Sequence, residues 1–270
     1  MATRLVRTIA TLLTVGFAWV ALAPAASAAT YTVKFSGVVV CDSSSKAVTG
    51  VYVNNFHGSD GWASWTAYPG KKNAALYSFT TKASRSNPTI RLDIGCGGTT
   101  KSWEKNLRTP NFTVKNGSVD NRRCRTASAN KTIACYPAPA GPKTSSNWGY
   151  AGYCTWGAYS RWKSYTGYYP AIGGDARQMD DNAKAKGLYV STVPHANSMV
   201  VFNTGTFGHV GWVTKVYFSS GKVYFDYVDM NGGSTWVNEA DGITNMFNKW
   251  STKTKKAWNT ANQAFIVAPD

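Results

Sequence analysis

The sequence predicts two regions: an all-β, sandwich-like region over residues 29–136 and an α+β region with an antiparallel sheet over residues 147–270. Three observations support this division. Between Ala29 and Cys135, short runs of Val, Ile, Thr and aromatic residues alternate with Gly, Asn, Ser and Pro, and no stretch keeps a helical period. Residues 137–146, Pro-Ala-Pro-Ala-Gly-Pro-Lys-Thr-Ser-Ser, form a short stiff connector by composition. Beyond it, helix-like segments come first and apolar strand-like segments follow, the order of an α+β unit. A chain of 270 residues is long enough to give both regions a core.

The chain opens with Met1-Ala-Thr-Arg-Leu-Val-Arg7, an apolar stretch that breaks at Pro24, and Ala26-Ser27-Ala28, the small-x-small pattern of a signal peptidase site. Residues 1–28 are therefore expected to be an export signal, too short to remain as a stable membrane anchor. The next runs, Tyr31–Phe35, Gly37–Val40, Val48–Val53, Leu76–Thr80, Thr89–Ile94 and Phe112–Val114, read as strands. Trp62, Trp65, Tyr68 and Trp103 fall among them and suit either a core or a carbohydrate-stacking face. After the connector, Cys154 to Lys163 reads as a helix. Residues 174–187 read as another, with Asp175 at its start and Gly187 as its stop. Strands are expected at Ser198–Phe202, His209–Tyr217, Lys222–Asp229 and Ala264–Val267.

Five cysteines remain after removal of the signal, an odd number for an exported protein. Cys41, Cys96, Cys124 and Cys135 precede the connector and Cys154 follows it. Pairing within the first region, with Cys41–Cys96 and Cys124–Cys135 as the favoured connectivity, leaves Cys154 as a free thiol. Charge is equally uneven. Residues 29–143 carry 16 Lys and Arg against 5 Asp and Glu, whereas residues 144–270 carry 11 against 8. A basic exported surface attracts anionic wall polymers, and export makes nucleic acid an unsuitable partner.

Cys154 lies where a Gly-rich turn, Asn147-Trp-Gly-Tyr-Ala-Gly-Tyr153, runs into a helix. A helix start offers partial positive charge and free backbone N–H groups, which favour an anion and can hold an oxyanion. The nucleophile needs a base, and the chain has only His57, His195 and His209. His57 and His195 read as plain surface residues. His209 opens an apolar strand between Gly208 and Gly211 and is the candidate. A third group must orient its imidazole. With Ser219-Ser220-Gly221 as a three-residue hairpin loop, Phe218 pairs with Lys222, His209 faces Asn231, and Asp229 is its diagonal neighbour on the same face. A two-residue loop instead puts both on the opposite face. Asp229 is the favoured orienter, with Asn231 as the alternative or a second contact. Trp148, Tyr153, Trp156 and Trp212 are candidates for lining a substrate cleft, and no pattern of metal ligands is present.

Residues 147–231 resemble the CHAP domain, the cysteine, histidine-dependent amidohydrolase/peptidase module. The resemblance rests on Gly152-Tyr-Cys154-Thr-Trp156, Gly174-Asp-Ala176, Asn182–Gly187, Pro194 before Ser198–Phe202, Gly208-His-Val210 and Val228-Asp-Met-Asn231. Tyr153 stands where many relatives have Gln, and Asn197 where Gly is common. The resemblance implies a papain-like α+β fold with Cys154 attacking a carbonyl, His209 as base and Asp229 as orienter, and no metal or organic cofactor. It also implies peptidoglycan as substrate, cut as an N-acetylmuramoyl-L-alanine amidase or as an endopeptidase. The expected protein is a secreted wall hydrolase. Its rivals are a non-catalytic wall-binding protein and an exported thiol amidase or peptidase acting on another substrate.

Overall fold

The computed structural model describes residues 29–42, 46–125, 133–232, 249–251 and 254–270. The expected export signal, residues 1–28, lies outside them. The strands of the first region are β1 (Tyr31–Cys41), β2 (Val48–Asn55), β3 (Gly61–Trp62), β4 (Ser64–Tyr68), β5 (Lys71–Ala83), β6 (Thr89–Gly98), β7 (Trp103–Arg108), β8 (Phe112–Thr113), β9 (Arg122–Cys124) and β10 (Cys135–Tyr136). The second holds β11 (Lys143–Thr144), α1 (Cys154–Thr166), β12 (Tyr169–Pro170), a 3-10 turn (Ala176–Gln178), α2 (Met179–Ala185) and β13 (Val190–Ser191). It continues with β14 (Ser198–Phe202), β15 (His209–Ser219), β16 (Lys222–Val228), β17 (Thr254–Ala257) and β18 (Gln263–Val267).

Three sheets stack on one another. An outer sheet of order β3-β2-β6-β7, with β8 beside β6, faces a middle sheet of order β10-β9-β1-β5-β4. Val51, Val53, Leu92 and Ile94 of the outer sheet meet Val33, Phe35, Val39 and Tyr77 of the middle one in a common core. The opposite face of the middle sheet, through Val38, Val40, Tyr68 and Ala74, shares a second core with Val200, Phe202, Val213, Phe225 and Phe265. Those residues belong to the third sheet, of order β13-β18-β14-β15-β16-β17. Its far face carries Met199, Val201, Val210, Trp212 and Ile266, and α1 and α2 cover it with Ala158, Tyr159, Trp162, Met179 and Ala183.

The expected pairing of a separate sandwich-like region with a papain-like α+β domain is corrected by this architecture. The described residues are mostly β, with 49% in strands, 11% in helix and two α-helices among them. The physical reason lies in the faces of the strands. The run Gly37–Val40 is buried throughout, because alternate residues enter cores on opposite sides. β14 is likewise buried at all of its positions. The helix expected over 174–187 is shorter than its pattern. It starts as the 3-10 turn, where Asp175 N donates to Gln178 Oε1 at 3.0 Å, and ends before Gly187 at φ +80°.

Polar contacts tie the middle and third sheets together. Tyr68 Oη donates to the Pro194 carbonyl at 2.7 Å, and Asn121 Nδ2 to the Ala196 carbonyl at 2.9 Å. Arg122, only 4% exposed, pairs with Asp270 and lies 3.6 Å from Asp120, with its guanidinium over the Phe112 ring. The connector packs as well: Ala138 sits with Tyr189 and Val267, and β11 pairs with β12. Cys41–Cys96 joins the middle and outer sheets, Cys124–Cys135 joins β9 and β10, and Cys154 is the free cysteine.

Burial holds the Asp120 carboxyl up at about 6, the Arg122 guanidinium opposes that rise, and Asp270 adds to it. Removing one partner of a buried ion cluster leaves uncompensated charge. Arg122→Met is therefore expected to lower stability at neutral pH by about 3 kcal/mol, measured by denaturant unfolding. An unchanged midpoint would show that the cluster does not hold the two sheets.

Candidate active site

The loop before α1 is clasped onto the first turn of that helix. Asn147 accepts from Gly149 N at 2.9 Å through Oδ1 and donates through Nδ2 to the Trp156 carbonyl at 3.1 Å. Tyr150 N donates to Thr155 Oγ1 at 3.0 Å, and Tyr153 N to the Tyr150 carbonyl at 3.0 Å. A Cβ on Gly149 would sit 2.6 Å from Trp156 Cα, so the close approach requires glycine there. Cys154 is thus the first residue of α1, half-buried, with the N–H groups of the first helical turn around it.

The same helix is drawn against the segment that follows β16. A Cβ on Gly157 would lie 2.5 Å from Met230 Cβ, and Met230 forms a β-bridge with Trp250. Asp229 is therefore placed beside the start of α1. Its backbone is fixed in both directions, since its N–H donates to Ser251 Oγ at 2.9 Å and its carbonyl accepts from Ser251 N at 2.8 Å.

His209 opens β15 opposite Phe202, and the two rings stack at 5.9 Å and 19°. Gly208 before it has φ +72° and presses on the Arg177 backbone, whose N–H donates to the Phe207 carbonyl at 2.9 Å. His209 Nε2 and Asp229 Oδ2 are 2.5 Å apart, and the Cys154 side chain is near enough to the imidazole to help raise its pKa. With Nε2 engaged by the carboxylate, Nδ1 is the ring nitrogen left over for proton transfer.

The hairpin reaches this geometry by an unexpected route. Its turn has two residues, Ser220 at φ +50° and Gly221 at φ +71°, with Ser219 opposite Lys222. Two left-handed positions suit such a turn. That register alone would put Asp229 on the wrong face of β16. The register shifts between Val213 and Lys215, however, so that Lys215 faces Asp226 whereas Val213 faces Tyr227 and Trp212 faces Val228. The extra residue, Thr214, donates through Oγ1 to the Asp226 carbonyl at 3.2 Å. A bulge inserts one residue into one strand and so cancels the one-residue difference made by the turn. The expected three-residue loop is corrected, and the bulge supplies the shift assigned to it.

Burial works to lower the His209 pKa, but the hydrogen bonds to Asp229 and Cys154 and their charges outweigh it and lift it to about 9. For Asp229, burial raises and the His209 and Ser251 hydrogen bonds lower, leaving the carboxyl below its usual range. His209 and Asp229 thus form a charged pair at neutral pH, with Asp229 nearly enclosed.

Other sequence candidates are placed apart from this cluster or in supporting positions. Trp212 is 6% exposed and packs against Trp162 and Tyr165, so it is core rather than cleft. Tyr153 and Trp156 are half-buried at the start of α1, and Trp148 is largely exposed with Lys186 near its ring. Asn231, buried at φ +49°, donates its backbone N–H to the Lys249 carbonyl at 2.6 Å, turning the chain just past Asp229. His57 accepts from Thr89 N at 3.0 Å through Nδ1. His195 corrects the surface reading: it is 1% exposed, 3.0 Å from Ser191 Oγ through Nε2, and held neutral by burial, which lowers its pKa to about 3. Among the described residues no group of His, Cys, Asp and Glu could hold a metal ion. Asn197, where relatives commonly have Gly, adopts φ +59°, a conformation glycine accepts at no steric cost.

Sequence reasoning missed Ser251 and Gly232. Ser251 lies 22 residues from Asp229 in no recognisable motif, so no local signal could reveal it. Gly232 begins a Gly-Gly pair directly after Asn231, a readable sign of close approach. A Cβ there would meet the Asp229 carboxylate and lie 2.8 Å from His209 Cε1. Gly232→Ala is expected to displace the His209 side chain and abolish its raised pKa while leaving the melting temperature within a few degrees. NMR titration of the His209 ring checks this, and an unshifted titration would show that the pair has room to spare.

The CHAP domain model matches residues 145–231, a segment that holds Cys154, His209, Asp229 and Asn231. No curated protein matches the chain. The resemblance first read from short motifs is thus carried by the segment as a whole, and the chain contains a CHAP domain over residues 145–231.

Proposed function

We propose that this protein is an exported thiol hydrolase that cleaves amide bonds of peptidoglycan through Cys154, His209 and Asp229. The CHAP domain gives the general class, a hydrolase of amidase or peptidase type acting on the cell wall. The observation that carries the finer reading is the imidazole of His209, anchored by Asp229 at 2.5 Å and with its pKa raised in part by the nearby side chain of a free cysteine at a helix start.

The proposed reaction begins with the Cys154 thiolate attacking the amide carbonyl carbon while the imidazolium stands beside it. The carbonyl electrons move to oxygen, and the backbone N–H groups of the first turn of α1 hold the resulting oxyanion. The C–N bond then breaks as His209 gives its Nδ1 proton to the departing amine, leaving a thioester on Cys154. Water, deprotonated by His209, attacks the thioester and releases the acid and the thiolate. Asp229 keeps the ring oriented and stabilises its charged form.

Export is supported by the pattern of residues 1–28 and by the two disulfides, which suit an oxidising compartment. No helix among the described residues is long and apolar enough to cross a membrane. The basic excess of residues 29–143 suits attraction to an anionic wall.

Digestion of purified peptidoglycan by the wild-type protein and by Cys154→Ala, with mass spectrometry of the products, tests the proposal. New alanine amino termini freed from muramic acid identify an amidase, and new termini within the peptides an endopeptidase. Equal release by both proteins would sink the thiol mechanism.

The raised His209 pKa sets a direction with pH. The imidazolium is present below about 9 and is lost as pH rises through that value, so the rate is expected to fall there. Asp229→Asn removes the carboxylate that opposes burial. The falling limb should then move to lower pH, and the maximal rate should drop by about a hundredfold or more. A pH–rate profile that keeps its basic limb in Asp229→Asn would assign that limb to another group.

A further inference from the structure

The face of the outer sheet turned away from the core carries an arrangement that core packing does not explain. By strand alternation, Gly50, Tyr52 and Asn54 of β2 and Arg91, Asp93 and Gly95 of β6 point outward, since Val51, Val53, Leu92 and Ile94 fill the core. The register makes one cross-strand row of Trp62, Tyr52, Asp93 and Arg108. In the adjacent row Gly50 faces Gly95. The indole of Trp103 is spread over both glycines: a Cβ on Gly50 would lie 2.5 Å from its Cζ2, and one on Gly95 2.6 Å from its Cδ2. The ring therefore rests on bare backbone and forms a floor. Trp62 stands perpendicular to it, with centroids 5.5 Å apart at 89°, and is backed by Tyr52 at 5.2 Å and 79°.

Shielding of glycine backbone accounts for Trp103 but not for Trp62, which remains 60% exposed. An indole held open beside another is an apolar corner of about one sugar ring's width, not the broad apolar patch of a protein interface. Its border is polar and fixed. Asp93 Oδ1 lies 3.0 Å from Arg91 Nε, in the neighbouring row, and 3.5 Å from Arg108 Nε in its own, which places acceptors and donors beside the aromatic corner. Two guanidinium groups against one carboxylate leave that border positive, complementary to a polymer that bears carboxylates.

We propose that this face binds a glycan strand, with the C–H face of a pyranose ring stacked on Trp103 and Trp62 and with hydroxyl, acetamido or carboxylate groups meeting Arg91, Asp93 and Arg108. The site is independent of the thiol chemistry. It gives the amino-terminal region a specific contact in addition to its general charge.

The test uses the full chain carrying Cys154→Ala, so that binding is read without cleavage, alone and combined with Trp62→Ala or Trp62→Phe. The probes are peptide-free strands of alternating N-acetylglucosamine and N-acetylmuramic acid, with polyglutamate as a polyanion that lacks a pyranose. Tryptophan fluorescence titration and co-sedimentation are run at low salt and at about 0.5 M salt, where exposed charges are screened. The glycan is expected to bind at both salt concentrations, about tenfold or more weakly with Trp62→Ala and with partial recovery in Trp62→Phe. Unchanged affinity in Trp62→Ala, absence of glycan binding, or displacement of the glycan by polyglutamate would each overturn the proposal. Because the measurement does not depend on turnover, its failure is distinct from failure of the hydrolase reading.

Discussion

The bond between His209 Nε2 and Asp229 Oδ2 is the interaction on which the arrangement of the site depends, because it joins the ends of two strands that the hairpin turn alone would misalign. Each support of that bond acts on position rather than on chemistry. The bulge at Thr214 returns β15 to the face on which Asp229 lies. Ser251 holds the Asp229 backbone in both directions. Gly232 leaves space for the carboxylate and the ring, and Gly157 lets α1 approach closely enough to bring Cys154 to the imidazole. Two glycines and a bulge thus do what no additional polar group could do, since a hydrogen bond stabilises only the groups that can reach each other.

The same economy governs the stack of sheets. Tyr68, Phe202, Phe225 and Phe265 are buried where the middle and third sheets meet. Burial of one such side chain contributes about 1.5–3 kcal/mol, so together these four are comparable in size with the whole stability of an ordinary domain. The two regions thus share a core and do not meet only through the connector. Tyr68 illustrates the cost of a polar group in such a place: its hydroxyl is buried and is satisfied by the Pro194 carbonyl. The loop around His195 is where the two sheets are joined, with its neighbours Pro194 and Ala196 accepting hydrogen bonds from the middle sheet.

The two faces of the amino-terminal layers consequently have different roles. The middle sheet is enclosed and positions the third sheet, on which His209 and Asp229 are carried. The outer sheet keeps one face in solvent, and the Trp62–Trp103 corner occupies it. Tyr68 and Trp65, equal candidates for a stacking surface by residue type, are drawn inward, Tyr68 between Phe218 and Trp258 and Trp65 against the core.

Chemical identity and count were legible in the chain before it folds. An odd cysteine beyond a Pro-rich connector isolates Cys154, three histidines leave a short choice, and the ordered motifs from Gly152 to Asn231 identify the CHAP segment. Strand periodicity located β1, β2, β5, β6, β8, β14, β15, β16 and β18, but not β3, β4, β7 or β17, because alternation and turn residues are local properties that very short or polar strands do not display. The remaining features arise from contacts between distant segments. Whether Val38 and Val39 face one core or two depends on what covers each side of β1, and a continuous apolar run does not name its neighbours. The hairpin register depended on a bulge at Thr214, whose exposed side chain carries no pattern that marks it. His195 became a buried neutral group, and Ser251 a partner of Asp229, through contacts between segments far apart in the chain, which local sequence cannot encode.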